Sequence, residues 1–190
     1  MIFRNALDIS HKIIKKVVIE GDMVIDATAG NGNDTLFLSR LVGDKGKVYA
    51  FDIQEIALKN TYMKLVENNM NHRVQLINDD HQYMDKYVPY GVKAVMFNLG
   101  YLPNGDHSIA TEAKNTIAAI EASLKLLQIG GIIMMVIYYG GDSGFDEKDA
   151  VIKYISLLDY KKYSVLMMDY INWINCPPIA VVIEKIAGLY

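Results

Sequence analysis

Short apolar runs alternate along this chain with longer segments of helical period. Met23-Val24-Ile25 is the first run, closed by Asp26, and Lys47 to Asp52, Arg73 to Ile77, Lys93 to Asn98 and Ile132 to Tyr139 repeat the form. Between them the apolar positions fall three or four apart. Leu7, Ile13, Ile14, Val17 and Val18 do so in residues 6 to 20, and Leu36, Phe37, Leu38 and Leu41 in the next segment. Ile56, Leu58, Tyr62, Leu65 and Val66 follow in residues 55 to 69, and Ile117, Ile120, Leu124 and Leu127 in Asn115 to Gln128. A further helix is expected over Glu147 to Leu158. Strand and helix in alternation predict an α/β fold, with a mostly parallel sheet and helices on both faces. Two last strands, Tyr163 to Met168 and Ile179 to Glu184, are joined by Asn172-Trp173-Ile174-Asn175-Cys176-Pro177-Pro178, which has no helical period. They are expected to pair antiparallel and close a seven-stranded sheet, in one domain over residues 1–190.

The first strand runs into Asp26-Ala27-Thr28-Ala29-Gly30-Asn31-Gly32-Asn33-Asp34-Thr35 and then into a helix. Glycines let the backbone approach a ligand, and a helix N-terminus offers unpaired N–H groups to polar atoms. A dinucleotide fingerprint would close with a third Gly or an Ala, where this chain has Thr35. The stretch resembles instead the D-x-x-x-G-x-G motif of class I S-adenosylmethionine (SAM) methyltransferases, with Asp26, Gly30 and Gly32 in register. That resemblance implies a loop around the methionine end of SAM, with Asp26 near its ammonium and Asn31, Asn33, Asp34 and Thr35 in the cofactor-binding stretch. The plainer alternative is a glycine turn without a ligand.

Asp52 ends the second strand, where a carboxylate can accept both hydroxyls of an adenosine ribose. Ile53 and Gln54 would flank the adenine. Asp52 with Glu55 also reads as a capping box, and the two roles are compatible. After the third strand comes Asn78-Asp79-Asp80-His81. In the methyltransferase pattern an acid here meets the adenine amino group, which fits Asp80, with His81 beside it. A metal reading of Asp79, Asp80 and His81 lacks a further ligand at metal spacing, so no metal is expected.

Asn98-Leu99-Gly100-Tyr101 follows the fourth strand and resembles the N-P-P-Y motif of amino-group methyltransferases, with Leu-Gly in place of the prolines. The resemblance implies that Asn98 and the Leu99 carbonyl accept hydrogen bonds from the target amine while Tyr101 stacks on its base. The missing prolines leave a planar exocyclic amine unassured as target. A strand cap at Asn98 and a turn at Gly100 is the structural alternative. Asp106 or His107 could take the proton an alkylamine must lose before it attacks, with Asp106 favoured. Tyr138, Tyr139 and Trp173 lie near the same edge and could stack a splayed base. Successive strand residues face opposite sides, so at least one of the two tyrosines is expected to pack in the core.

Composition narrows the reading little. The formal charge of −3 advertises no nucleic-acid field, although a local patch would be enough. Lys12, Lys15 and Lys16 on the first helix are read as a solvated face, with phosphate contact as the alternative. Cys176 is the only cysteine, which fits a reducing compartment, and no apolar run could span a bilayer. A cytoplasmic protein without a membrane partner is expected; a homodimer is left open.

Taken together, the blocks Asp26 to Thr35, Phe51 to Gln54, Phe97 to Ile109 and Thr116 to Glu121 resemble one small bacterial family along nearly the whole chain. It was long labelled an rRNA methylase family and is understood as tRNA 5-aminomethyl-2-thiouridine methyltransferases. The resemblance implies SAM as cofactor, a Rossmann-like class I fold, the anticodon loop of tRNA as partner and N-methylation of the wobble uridine's side chain. A small-molecule amine, rRNA, or a catalytically silent RNA-binding subunit are the alternatives.

Overall fold

The computed structural model describes residues 4–100, 113–139 and 144–187. Seven strands, β1 (Met23–Asp26), β2 (Lys47–Phe51), β3 (Val74–Ile77), β4 (Val92–Leu99), β5 (Leu127–Ile137), β6 (Tyr163–Met168) and β7 (Ile179–Lys185), form one sheet in the order β3-β2-β1-β4-β5-β7-β6. The first five are parallel, and β7 runs antiparallel between β5 and β6, as the helix-free last connection requires. Around the sheet lie α1 (Ala6–Val17), α2 (Asn33–Val42), α3 (Glu55–Glu67), α4 (Ala113–Leu126) and α5 (Gly144–Ser156).

Alternation along the strands decides which helix meets which residue. Val24, Val48, Ala94, Met96, Met134 and Val136 face α1 and α2, packing on Ile14, Leu38 and Val42. Ile25, Phe51, Val95, Phe97, Ile133 and Met135 face the opposite side with Ile120 and Leu124 of α4 and Val151 and Ile155 of α5. Leu58 brings α3 onto Ala29 and Ala50, so it shares the side of α1 and α2. The sheet is therefore covered on both faces, which is why its central strands are mostly apolar, with polar residues near their ends.

The chain winds from β1 out to β3 and returns to β4 on the other side of β1. This reversal leaves a crevice beyond the carboxyl ends of β1 and β4, the place where open α/β sheets receive ligands. Both the glycine stretch and Asn98 end there. Among the described residues no helix is long and apolar enough to cross a membrane.

Several boundaries differ from the expectation: α4 and α5 begin at Ala113 and Gly144, ahead of the expected Asn115 and Glu147, and end at Leu126 and Ser156. β5 begins at Leu127, upstream of the expected Ile132, because Gly130 takes a left-handed φ of 72° and the strand bulges past β4 between Val92 and Ala94. It ends at Ile137, before the two tyrosines. A 3-10 segment over His81–Lys86, not signalled by apolar period, is capped by the Asp80 side chain.

Leu38 is fully buried between α2 and the sheet. Leu38→Ala should lower the unfolding free energy by about 2–5 kcal/mol, read from the midpoint and slope of a urea titration.

Candidate functional site

Gly30 and Gly32 turn the chain with φ of 50° and 75°, left-handed values that cost a side-chain-bearing residue energy. A Cβ at Gly32 would lie 2.9 Å from the backbone of Thr61, so α3 presses on the loop there. The Thr61 hydroxyl donates to the Gly30 carbonyl (2.9 Å), and Asn60 donates to the Asn31 side chain (3.2 Å). Lys64 donates to Asn33. Three residues of α3 thus fix the loop, a contribution sequence spacing did not signal because its partners lie about thirty positions away.

Asp52 lies at the end of β2 and joins two backbones. Its carboxylate accepts the Gly30 N–H (2.9 Å) on one oxygen and the Gln54 N–H (2.9 Å) on the other. The capping-box reading of Asp52 fails, since α3 begins at Glu55 and Gln54 occupies the cap position. Asn78 holds the same turn by donating to the carbonyls of Asp52 and Ile53. Each Asp52 oxygen retains a lone pair for a ligand hydroxyl, and Ile53 stands 54% exposed beside it.

Asp26 is not a lining residue. It is 0% exposed, and its oxygens accept from the Thr28 N–H (3.1 Å) and the Thr35 hydroxyl (2.6 Å), so it braces the loop from beneath. Burial, and next the charge of Asp34, push its pKa up to about 7 against the two hydrogen bonds. Thr35 is buried with it. Asp34 also turns inward: its carboxylate bridges His11 of α1 and Asn98.

Asp80 accepts the Gln82 N–H (3.0 Å), the Gln82 side-chain N–H (3.0 Å) and the Asn115 side-chain N–H (3.1 Å). A carboxylate has about four acceptor positions, which leaves one for an outside donor. His81 is buried against Phe97 and donates Nδ1–H to the Ala27 carbonyl (3.1 Å). Burial lowers its pKa against the nearby Asp80 charge, and its Nε2, 3.9 Å from Asp80 Oδ1, makes no hydrogen bond among the described residues. Among the described residues no group of three His, Cys, Asp or Glu side chains could hold a metal ion.

Asn98 continues the face of Ala94 and Met96, while Leu99 continues that of Val95 and Phe97. The Leu99 side chain is accordingly buried in the core, and its carbonyl, the group expected to meet substrate, lies at the edge and accepts the Tyr138 N–H (2.9 Å). Asn98 receives its own backbone anchor from the loop after β1, donating N–H to the Thr28 hydroxyl (2.8 Å). Tyr138 is half exposed on the Asn98 side, and its ring lies over Gly100. Burial and then the Asp34 charge raise its phenol pKa. Tyr139 turns the other way, edge-on to Phe145 with Lys148 over its ring, and is the packing member of the pair. Trp173 stacks on Tyr170 at 4.2 Å in the last connection. Tyr101, Asp106 and His107 lie outside the described residues.

Residues 48–184 match the family model described as "Putative rRNA methylase". A chloroplastic tRNA (mnm(5)s(2)U34)-methyltransferase of Arabidopsis thaliana is 40% identical over 158 residues, 78% of this chain and 58% of that protein, so the chain spans a little over half of that relative. The crystal structure of a "putative rRNA-methylase" from Clostridium thermocellum is 56% identical, superposes with a TM-score of 0.96 and covers 98% of this chain and all of that one. A "putative methyltransferase" from Streptococcus mutans, solved with S-adenosylhomocysteine (SAH), is 43% identical with a TM-score of 0.89, covering 97% of this chain and 99% of that one.

The raised pKa of Asp26 has a stability consequence. The folded state holds this proton up to about pH 7 and the unfolded chain only to about 3.8, so its contribution is present below the lower value and lost as pH rises through the higher. The unfolding free energy of Asp26→Asn relative to the parent should therefore climb between pH 4 and pH 7. Denaturant titrations at a series of pH values check the slope, and a pH-independent difference contradicts it.

Proposed function

The chain belongs to the family described as "Putative rRNA methylase", and on that premise we propose that it is a SAM-dependent enzyme methylating the 5-aminomethyl nitrogen of wobble 2-thiouridine in tRNA. The observation that carries the amine reading is Asn98 at the end of β4, its Nδ2 committed to Asp34 (3.1 Å) and its Oδ1 therefore the atom left to accept a hydrogen bond. The substrate named for the Arabidopsis relative supports the choice of base.

The residues present suit SAM. The left-handed loop at Gly30 and Gly32 would take the methionine end, and the remaining Asp52 lone pairs the ribose hydroxyls. Ile53 and Gln54 would border the adenine, with the last acceptor position of Asp80 for its amino group. Bound there, SAM supplies an electrophilic methyl group on a sulfonium.

Asn98 Oδ1 accepts an N–H of the substrate amine and so directs the nitrogen lone pair along one line. The Leu99 carbonyl has a second lone pair for the same nitrogen. Orientation of this kind is worth up to about 7–11 kcal/mol for well-placed reactants. An alkylamine is largely protonated at neutral pH, and Asp106, or His107, takes the proton. Tyr138, Tyr101 and Trp173 offer faces on which the extruded base of the anticodon loop stacks. No residue adjoining Asn98 in the fourth-strand stretch is a cysteine, so carbon methylation through a covalent thiol adduct has no nucleophile there.

Incubation with SAM and two tRNAs, one carrying 5-aminomethyl-2-thiouridine and one unmodified at that position, followed by nucleoside mass spectrometry, tests the reading. The modified tRNA should gain one methyl on nitrogen and the unmodified tRNA none. Equal methylation of both, methyl on carbon, or transfer only to rRNA would overturn it.

Asn98→Ala should lower kcat by about 10–100-fold while the SAM Kd stays within a few-fold, because its role is to orient the amine. Single-turnover kinetics with isothermal titration of SAM separate the two quantities.

A further inference from the structure

We infer that the N-terminal helix supplies a positioning residue to the reaction centre: His11, acting through Asp34, fixes the side-chain amide of Asn98. The inference rests on the amine-methylation reading of Asn98. His11 sits on the second turn of α1, and its Nε2–H donates to Asp34 Oδ1 at 2.7 Å. Asp34 Oδ2 in turn accepts the Asn98 Nδ2–H at 3.1 Å. One carboxylate thus bridges a ring on α1 and an amide on β4, and its side chain is only 6% exposed.

Each member is held independently of the chain it forms. The His11 ring stacks on Phe37 of α2, with centroids 3.9 Å apart and planes 12° from parallel. Asp34 lies in the first turn of α2, directly after the loop that α3 pins. Asn98 is anchored through its backbone N–H to Thr28. The bridge therefore has little rotational freedom, and the amide cannot flip without placing its oxygen against the Asp34 carboxylate. That repulsion selects the orientation with Oδ1 turned away, and donation to a carboxylate increases the negative charge on that oxygen. Both effects strengthen acceptance from the substrate N–H and fix its direction. His11 is 27% exposed on its side chain, so its loss opens no large cavity.

The test compares His11→Phe with His11→Gln. Phenylalanine retains a ring to stack on Phe37 but has no N–H, whereas glutamine returns a donor able to reach Asp34. Three quantities are read: kcat and KM on the amine-bearing tRNA, the Kd for SAM, and the Asn98 side-chain amide resonance in the protein without tRNA, assigned by its disappearance in Asn98→Ala. His11→Phe should lower kcat about 10–100-fold with the SAM Kd within threefold, and should move the Asn98 resonance. His11→Gln should recover most of the rate. An unmoved Asn98 resonance in His11→Phe overturns the inference whatever the substrate proves to be. So does a kcat within twofold of the parent, or an equal loss in both variants. Absence of amine methylation by the parent protein would instead remove the functional reading before any variant is compared, and the resonance still decides whether His11 governs Asn98.

Discussion

The bond from the Gly30 N–H to the Asp52 carboxylate ties the loop after β1 to the end of β2. It fixes the separation of two elements that would each contact a different part of one ligand. The loop can offer its backbone only because Gly30 and Gly32 reach left-handed φ, and it keeps its shape because Thr61 closes on it from α3. Asp52 stays partly open to solvent while accepting two backbone N–H groups. It is at once a brace and an available acceptor, the combination a ribose contact needs.

The acids near the crevice divide by burial. Asp26 lies under the loop and is satisfied by Thr28 and Thr35; Asp34 is consumed by His11 and Asn98. Neither presents a free carboxylate to solvent. Burial raises the cost of ionising Asp26, and the Asp34 charge adds to it. The hydroxyls, backbone N–H groups and ring N–H around them offset part of that cost, and the pairing places the Asn98 amide in one orientation at the switch point of the sheet.

Much of this was legible in the sequence because the signals are local. Strand runs, helical periods and the glycine spacing each sit within a dozen residues, and they give the seven strands and the crevice. The position of Asp52 was legible as well, directly after the last residue of β2. What was not legible depends on contacts across the chain. His11 meets Asp34 from 23 positions away, and Asn60, Thr61 and Lys64 meet the loop from about thirty. Strand alternation sends Asn98 and Leu99 to opposite faces, so the Leu99 side chain joins the core and only its backbone stays at the edge. The same alternation, applied to Tyr138 and Tyr139, separated the exposed ring from the packed one.

SAM binding in the crevice between Gly30 and Asp52 is the premise on which the roles of the other residues depend. Isothermal titration of SAM into the parent protein and Asp52→Ala addresses this directly, with a thermal melt to verify that both are folded. Loss of charge-assisted hydrogen bonds worth about 1.5–3 kcal/mol predicts binding weaker by about tenfold or more in the variant. No binding to the folded parent, or equal affinity in both proteins, would contradict it.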